Sequence, residues 1–272
     1  MNRPHYDIDQ YDVSYLNIDT QVGFGFRFMP GGWNPLRRTV RAGRFVLPYC
    51  HPGFYGIEAE SELSAFISAF GPTIEDPQMR GMEEGPYSGE GFLRGWNFGN
   101  QHAVGLMLSR EPDLDLPTLP GEILARVWRW NHSLTADRLR LRDRRFVPQI
   151  MMLRRDGGAP CTSVVWPTAM PVSLPKVDYV MLGRGNRPDA QSFALAPWSE
   201  VVEILAKAGF DTSKDPIEIE YFWAPPEITR WLASVPGVNL DTLQQIQPHE
   251  VMDAEIVAAA RASATIDRSL PR

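Results

Sequence analysis

Cysteine is nearly absent from this chain, and histidine is thinly scattered. Of 272 residues only Cys50 and Cys161 are cysteines, and His5, His51, His102, His132 and His249 lie at least 30 residues apart. That spacing excludes a disulfide framework, a CxxC redox pair and a local zinc knuckle. No HExxH, P-loop or GxSxG occurs, so no metal and no cofactor is expected. Lysine is scarce too: Lys176, Lys207 and Lys214 are the only three, and arginine carries the rest of the positive charge. No apolar run approaches the length of a membrane span. The opening MNRPHYDIDQYDVSY has acids where a signal peptide needs an apolar stretch. With two lone thiols, it leads to an expected cytoplasmic location.

What is present is a chain able to fold. Apolar residues make up 43%, including eight Trp, thirteen Phe and eight Tyr, which argues for a real core and against disorder. A net charge of -6 and a pI near 5.4 disfavour a nucleic-acid partner, because phosphate contacts need a basic face. The 24 prolines and 22 glycines cut the sequence into short pieces. The expected class is therefore α+β, with short mixed or antiparallel strands and peripheral helices.

Strand signals cover Tyr11–Ile18, Val22–Phe28 and Phe45–Tyr49. Ser61–Phe70 reads as a helix, with Leu63, Phe66, Ile67 and Phe70 on one side and Gly71-Pro72 as its stop. Six glycines between Gly81 and Gly99, interleaved with Tyr87, Phe92, Trp96 and Phe98, predict a flexible aromatic loop, followed by a strand over His102–Leu108. A helix is expected over Gly121–Trp130. The Arg-Leu-Arg-Leu-Arg run from Arg138 to Arg142 has period two and predicts a strand with three guanidiniums on one face, a candidate basic patch. Phe146–Leu153 and Cys161–Trp166 flank Asp156-Gly157 and predict a hairpin. A strand over Val177–Leu182, a helix over Trp198–Ala208 ended by Gly209, and a helix over His249–Ile266 complete the outline.

Ser61–Gly71 and Ser199–Gly209 share start, apolar positions and stop. They suggest two lobes of a duplicated α+β unit, residues 1–140 and 141–272, with one compact unit as the alternative. In Asp215–Tyr221, Glu218 and Glu220 share one strand face and Ile217, Ile219 and Tyr221 the other. The paired acids could serve as a general acid/base pair, as metal ligands, as a solvated face, or as a strip for a basic protein.

Three functional classes follow. An enzyme would need a nucleophile with a base; Cys50-His51 is the one adjacent Cys and His, but neighbours on a strand face opposite ways. A ligand- or carbohydrate-binding module could use Trp33, Trp96 and Tyr87. A protein-binding inhibitor needs no catalytic residue and gains from acidic strips. In size, acidity and missing enzymatic motifs the chain resembles the immunity proteins of bacterial antagonistic toxins, including those paired with type VI secreted effectors. The resemblance implies stoichiometric neutralisation of a cognate toxin, such as a basic nuclease, and assigns no residue a role. Expected partner-binding residues are Glu83, Glu84, Glu218 and Glu220 for cationic groups, with Tyr87 and Trp96 as aromatic anchors. No catalytic residue is assigned.

Overall fold

The structure, a computed structural model, describes residues 5–31, 40–77, 79–82, 86–141, 144–155, 157–167, 170–183, 193–221 and 224–269. In chain order the elements are β1 (Tyr6–Asp9), β2 (Asp12–Leu16), β3 (Gly23–Pro30), β4 (Val40–Val46), α1 (Phe54–Phe70), α2 (Gly89–Arg110), β5 (Thr118–Leu119) and α3 (Gly121–Leu141). Then come β6 (Met151–Arg155), β7 (Pro160–Trp166), β8 (Val172–Leu174), β9 (Tyr179–Gly183), β10 (Phe193–Pro197), α4 (Trp198–Lys207), β11 (Ile217–Ile219), α5 (Pro226–Ser234), β12 (Leu243–Ile246), β13 (Met252–Asp253) and α6 (Ala254–Ser269). The fold is α+β.

Two compact units divide the chain: Met1–Ala125 with His249–Arg272, and Arg126–Pro248. The cut lies inside α3 rather than at 140/141, and the C-terminal helix belongs with the N-terminal unit.

In the first unit β1 to β4 form an antiparallel meander in sequence order. β3 reads Gly-Phe-Gly-Phe-Arg-Phe-Met-Pro, and strand alternation sends its three phenylalanines to one side. There the Phe26 and Phe28 rings meet Phe66 of α1 at 5.0 and 6.0 Å. Tyr15 and Asn17 donate hydrogen bonds of 2.7 and 2.9 Å to Oε1 of Glu58, an α1 carboxylate buried to 1% exposure. Neither partner can leave without stranding a buried polar group. Behind α1, Val104 and Leu108 of α2 pack on Val257 and Ala260 of α6, whose small side chains allow the close approach. β13 pairs in parallel with β5.

The segment predicted to be a glycine-rich loop and then a strand is a single helix, α2. Ser88 caps it, its hydroxyl accepting from the Gly91 N–H at 3.2 Å. Gly91, Gly95 and Gly99 recur every four residues and so occupy one helix face. A Cβ on Gly95 would lie 3.4 Å from Gly81 Cα, and one on Gly99 would lie 2.5 Å from the Tyr49 hydroxyl. The glycines that lower helix propensity thus make room for neighbouring chain, and packing outweighs propensity. α1 likewise starts seven residues before the expected Ser61, and its left-handed Gly71 is the expected stop.

In the second unit the sheet order is β10-β9-β7-β6-β12, with β7 and β9 parallel and the other neighbours antiparallel. β6 and β7 form the expected hairpin, with Gly157 left-handed at its turn. Thr162 and Asp178 clamp the start of the parallel pair: Asp178 Oδ2 accepts from Thr162 N–H and hydroxyl at 2.7 and 2.8 Å. β8 and β11 pair separately, with Ile217 and Ile219 buried as the alternation predicts. The two sheets differ in topology, and Ser61 lies mid-helix whereas Ser199 opens α4. The likeness of those segments is therefore that of two amphipathic helices.

Arg138–Leu141 closes α3 instead of forming a strand. Val127, Asn131, Leu134 and Leu141, all buried, keep the helical period, and a five-residue alternation cannot override it. Arg138 donates to the Val147 carbonyl, Arg140 pairs with Asp137, and Arg142 is outside the described residues. Arg138 and Arg140, two apart on a helix, do not share the strand face that the alternation predicts.

Two glycine substitutions should act in opposite directions. A Cβ on Gly56 would sit 2.7 Å from the buried Trp96 ring, whereas one on Gly105 meets nothing within 4 Å. Gly56→Ala should cost about 1–3 kcal/mol by overpacking, and Gly105→Ala should add about 0.5–1 kcal/mol as a helix-interior alanine. Chemical denaturation measures both; a Gly56→Ala as stable as wild type would contradict the packing described.

Candidate functional site

Of the expected partner-binding residues the structure buries Trp96, half-buries Tyr87 and leaves Glu218 and Glu220 exposed. Glu83, Glu84 and Trp33 lie outside the described residues. Trp96 is 5% exposed, its indole N–H reaching the Pro48 carbonyl at 3.3 Å, so it is core and not a surface anchor. The Tyr87 hydroxyl donates to Glu60 Oε1 at 3.0 Å, and burial pushes the phenol up to about 12.

Glu218 and Glu220 do face the same way, but a cation of this chain already holds them. Arg145, whose side chain is 13% exposed, pairs through one terminal nitrogen with Glu218 and through the other with Glu220, the latter at 2.8 Å. The Ser173 hydroxyl also donates to Glu218 at 3.2 Å. Two acids at i and i+2 form a fork matched to one guanidinium, which offsets one of their two charges and leaves a formal -1.

Cys50 and His51 belong to a latch at the entrance to α1. The fully buried Asn100 accepts from the Cys50 N–H at 2.7 Å and from the His51 N–H at 3.2 Å, and donates to the His51 carbonyl at 2.8 Å. This holds Cys50 in a left-handed conformation, φ 63°. The His51 ring stacks on Tyr55, centroids 4.1 Å apart, and its Nδ1 lies 3.1 Å from the His249 carbonyl. Asp253 Oδ2 accepts from the Gly53 N–H at 2.7 Å. Burial lowers the His51 pKa and raises those of Asp253 and both thiols. At neutral pH the cysteines are thiols and not thiolate nucleophiles. Among the described residues no group of three or more His, Cys, Asp and Glu could hold a metal, and no helix is long and apolar enough to cross a membrane.

The surface best formed for recognition is the face of the β1–β4 sheet opposite α1. Register fixes its rows: Leu16 opposite Gly23; Asp7, Ser14, Gly25 and Val46; Asp9, Asp12, Arg27 and Arg44; then Met29 opposite Ala42. Leu16, Met29 and Val46 are 52%, 54% and 51% exposed. Gly23, Gly25 and Ala42 keep the relief low, and an Arg27–Asp12 pair at 2.8 Å crosses the face. The result is a low-relief surface on which Leu16, Met29 and Val46 stand among acids along the β1 and β2 side and arginines along β3 and β4. The sequence carried the signal: alternation that buries Phe24, Phe26 and Phe28 must expose Gly25, Arg27 and Met29.

No family model, no curated protein and no solved structure matches the chain.

Replacing Glu218 and Glu220 together by Lys should destabilise the fold. It leaves Arg145 among cations, and a loss of about 2 kcal/mol is expected for a pair whose acids are half exposed. Adding Arg145→Glu should recover part of the loss. Unchanged melting of the double variant would contradict the pairing.

His51 yields a pH signature. Its folded-state pKa lies below the ordinary 6.5, so the unfolded chain binds more protons just below that pH. The stability tied to neutral His51 is complete above 6.5 and is lost as pH falls toward the folded value. NMR titration of the folded protein should place the His51 midpoint below 6.5; a midpoint at or above it would contradict the burial described.

Proposed function

We propose that the chain acts by stoichiometric binding of a protein, with the open face of β1–β4 as its contact surface. In the setting its size, acidity and motif content resemble, it is an immunity protein that neutralises a cognate toxin. The observation that carries this reading is the exposure of Leu16, Met29 and Val46 on a face flattened by Gly23 and Gly25. Apolar side chains set among charges of both signs are what a protein interface needs: burial for affinity, charge for register. Asp7, Asp9 and Asp12 on one side suit a partner with a basic rim, while Arg27 and Arg44 fix its orientation. The Glu218–Glu220 strip, 41% and 55% exposed with Arg145 between the two acids, is a second acidic surface and the weaker candidate because one of its charges is already offset.

The test is capture from the native host with the tagged chain, followed by mass spectrometry, comparing Leu16→Asp/Val46→Asp with Leu139→Asp as an exposed control. A protein recovered by wild type and control, and lost by the face variant at unchanged melting temperature, is expected. Higher ionic strength should slow its association more than it speeds dissociation. Equal recovery by the face variant would contradict the proposed surface.

A further inference from the structure

The second unit contains a cavity of about 250 Å³ lined by Arg126, Arg129, Trp130 and Ser133 of α3, by Ile150, and by Pro175, Lys176, Asp215 and Pro216. The α3 residues stand at i, i+3, i+4 and i+7, which is one face of a helix. The opposite wall is pinned by the Lys176 N–H, which donates to Asp215 Oδ1 at 2.9 Å. Trp130 directs its N–H away, to the Pro148 carbonyl at 2.7 Å, so its ring is the part left for the cavity. Ser133 donates within its own helix, to the Trp130 carbonyl at 3.0 Å and to Asp137 at 2.8 Å.

Three cations and one carboxylate therefore line the cavity, Arg126 half-buried and Arg129, Lys176 and Asp215 exposed to solvent. Among the described residues the side chains of Arg126, Arg129 and Lys176 form no ion pair or hydrogen bond, whereas Arg27, Arg140, Arg145, Lys207, Lys214 and Arg230 have acidic partners. Nε of Arg126 is shielded from solvent and has no partner. Placing two guanidiniums three residues apart on a helix without counter-charge is unfavourable on its own, and a buried unpaired donor adds to the cost. An anion in the cavity removes both.

We propose that this cavity binds a small phosphate monoester, a site independent of the sheet face in the first unit. Three cations less Asp215 leave a formal charge of +2, which matches the charge of about -1.5 to -2 that a phosphate monoester carries at pH 7. A planar guanidinium donates to two phosphate oxygens at once, and Lys176 supplies a point charge. Trp130, Pro175 and Pro216 offer apolar surface for the organic part. The volume lies below the roughly 300–1,000 Å³ of drug-sized pockets, so that part is small.

Calorimetric titration of the full chain at low ionic strength with phenyl phosphate, inorganic phosphate and benzoate tests the assignment. Phenyl phosphate should bind one to one, at least about tenfold tighter than benzoate, and inorganic phosphate should compete with it. Arg126→Gln, on the helix, and Lys176→Gln, on the loop, should each weaken phenyl phosphate by about tenfold or more while melting as wild type does; Arg230→Gln should change nothing. Absence of saturable binding up to about 10 mM, benzoate binding as tightly as phenyl phosphate, or unchanged affinity in both Arg126→Gln and Lys176→Gln would overturn it.

Discussion

The alternation within β3 sets the architecture of the first unit. Three phenylalanines on one side of a single strand require a cover, and α1 supplies it through Phe66 and through Glu58, which takes hydrogen bonds from Tyr15 and Asn17. Burial of the aromatic side gives the driving force, and the carboxylate gives the alignment, since only one placement of α1 satisfies both donors. The opposite side is fixed by the same choice. Side chains alternate with period two, so Gly23, Gly25, Arg27 and Met29 face outward because the residues between them face in.

Legibility followed the range of the interaction that decides each element. The β6–β7 hairpin, α4 with its Gly209 stop and the buried Ile217 and Ile219 were readable because a few adjacent residues determine them. α2 was not, because its glycines answer to Gly81 and Tyr49 rather than to helix propensity. The Arg138–Leu141 run differs from its expected strand for a related reason: its local alternation sits inside a longer helical period, which prevails. The candidate sites were hidden more deeply. Arg145 lies far in sequence from the two acids it joins, and His51 lies 198 residues from the His249 carbonyl it approaches.

The charge of the chain takes on a different meaning once partners are located. A net charge of -6 suggested acidic strips for a basic target. Yet Glu218 and Glu220 are engaged by Arg145 and Glu58 is interior, while an uncompensated cluster in the second unit is positive. What matters for recognition is which charges have no internal partner. By that measure the Arg126–Arg129–Lys176 cavity differs from the open sheet face, where Arg27 and Asp12 already pair with each other.

The central claim is that the open face of the β1–β4 sheet is where another protein binds, and hydroxyl-radical footprinting of the free chain and of its complex with the captured partner tests it most directly. Met29 and Leu16 should be oxidised readily in the free chain and strongly protected in the complex, while Leu139 and Met170, exposed elsewhere, keep their reactivity. Equal labelling of Met29 and Leu16 in the two states would contradict the account.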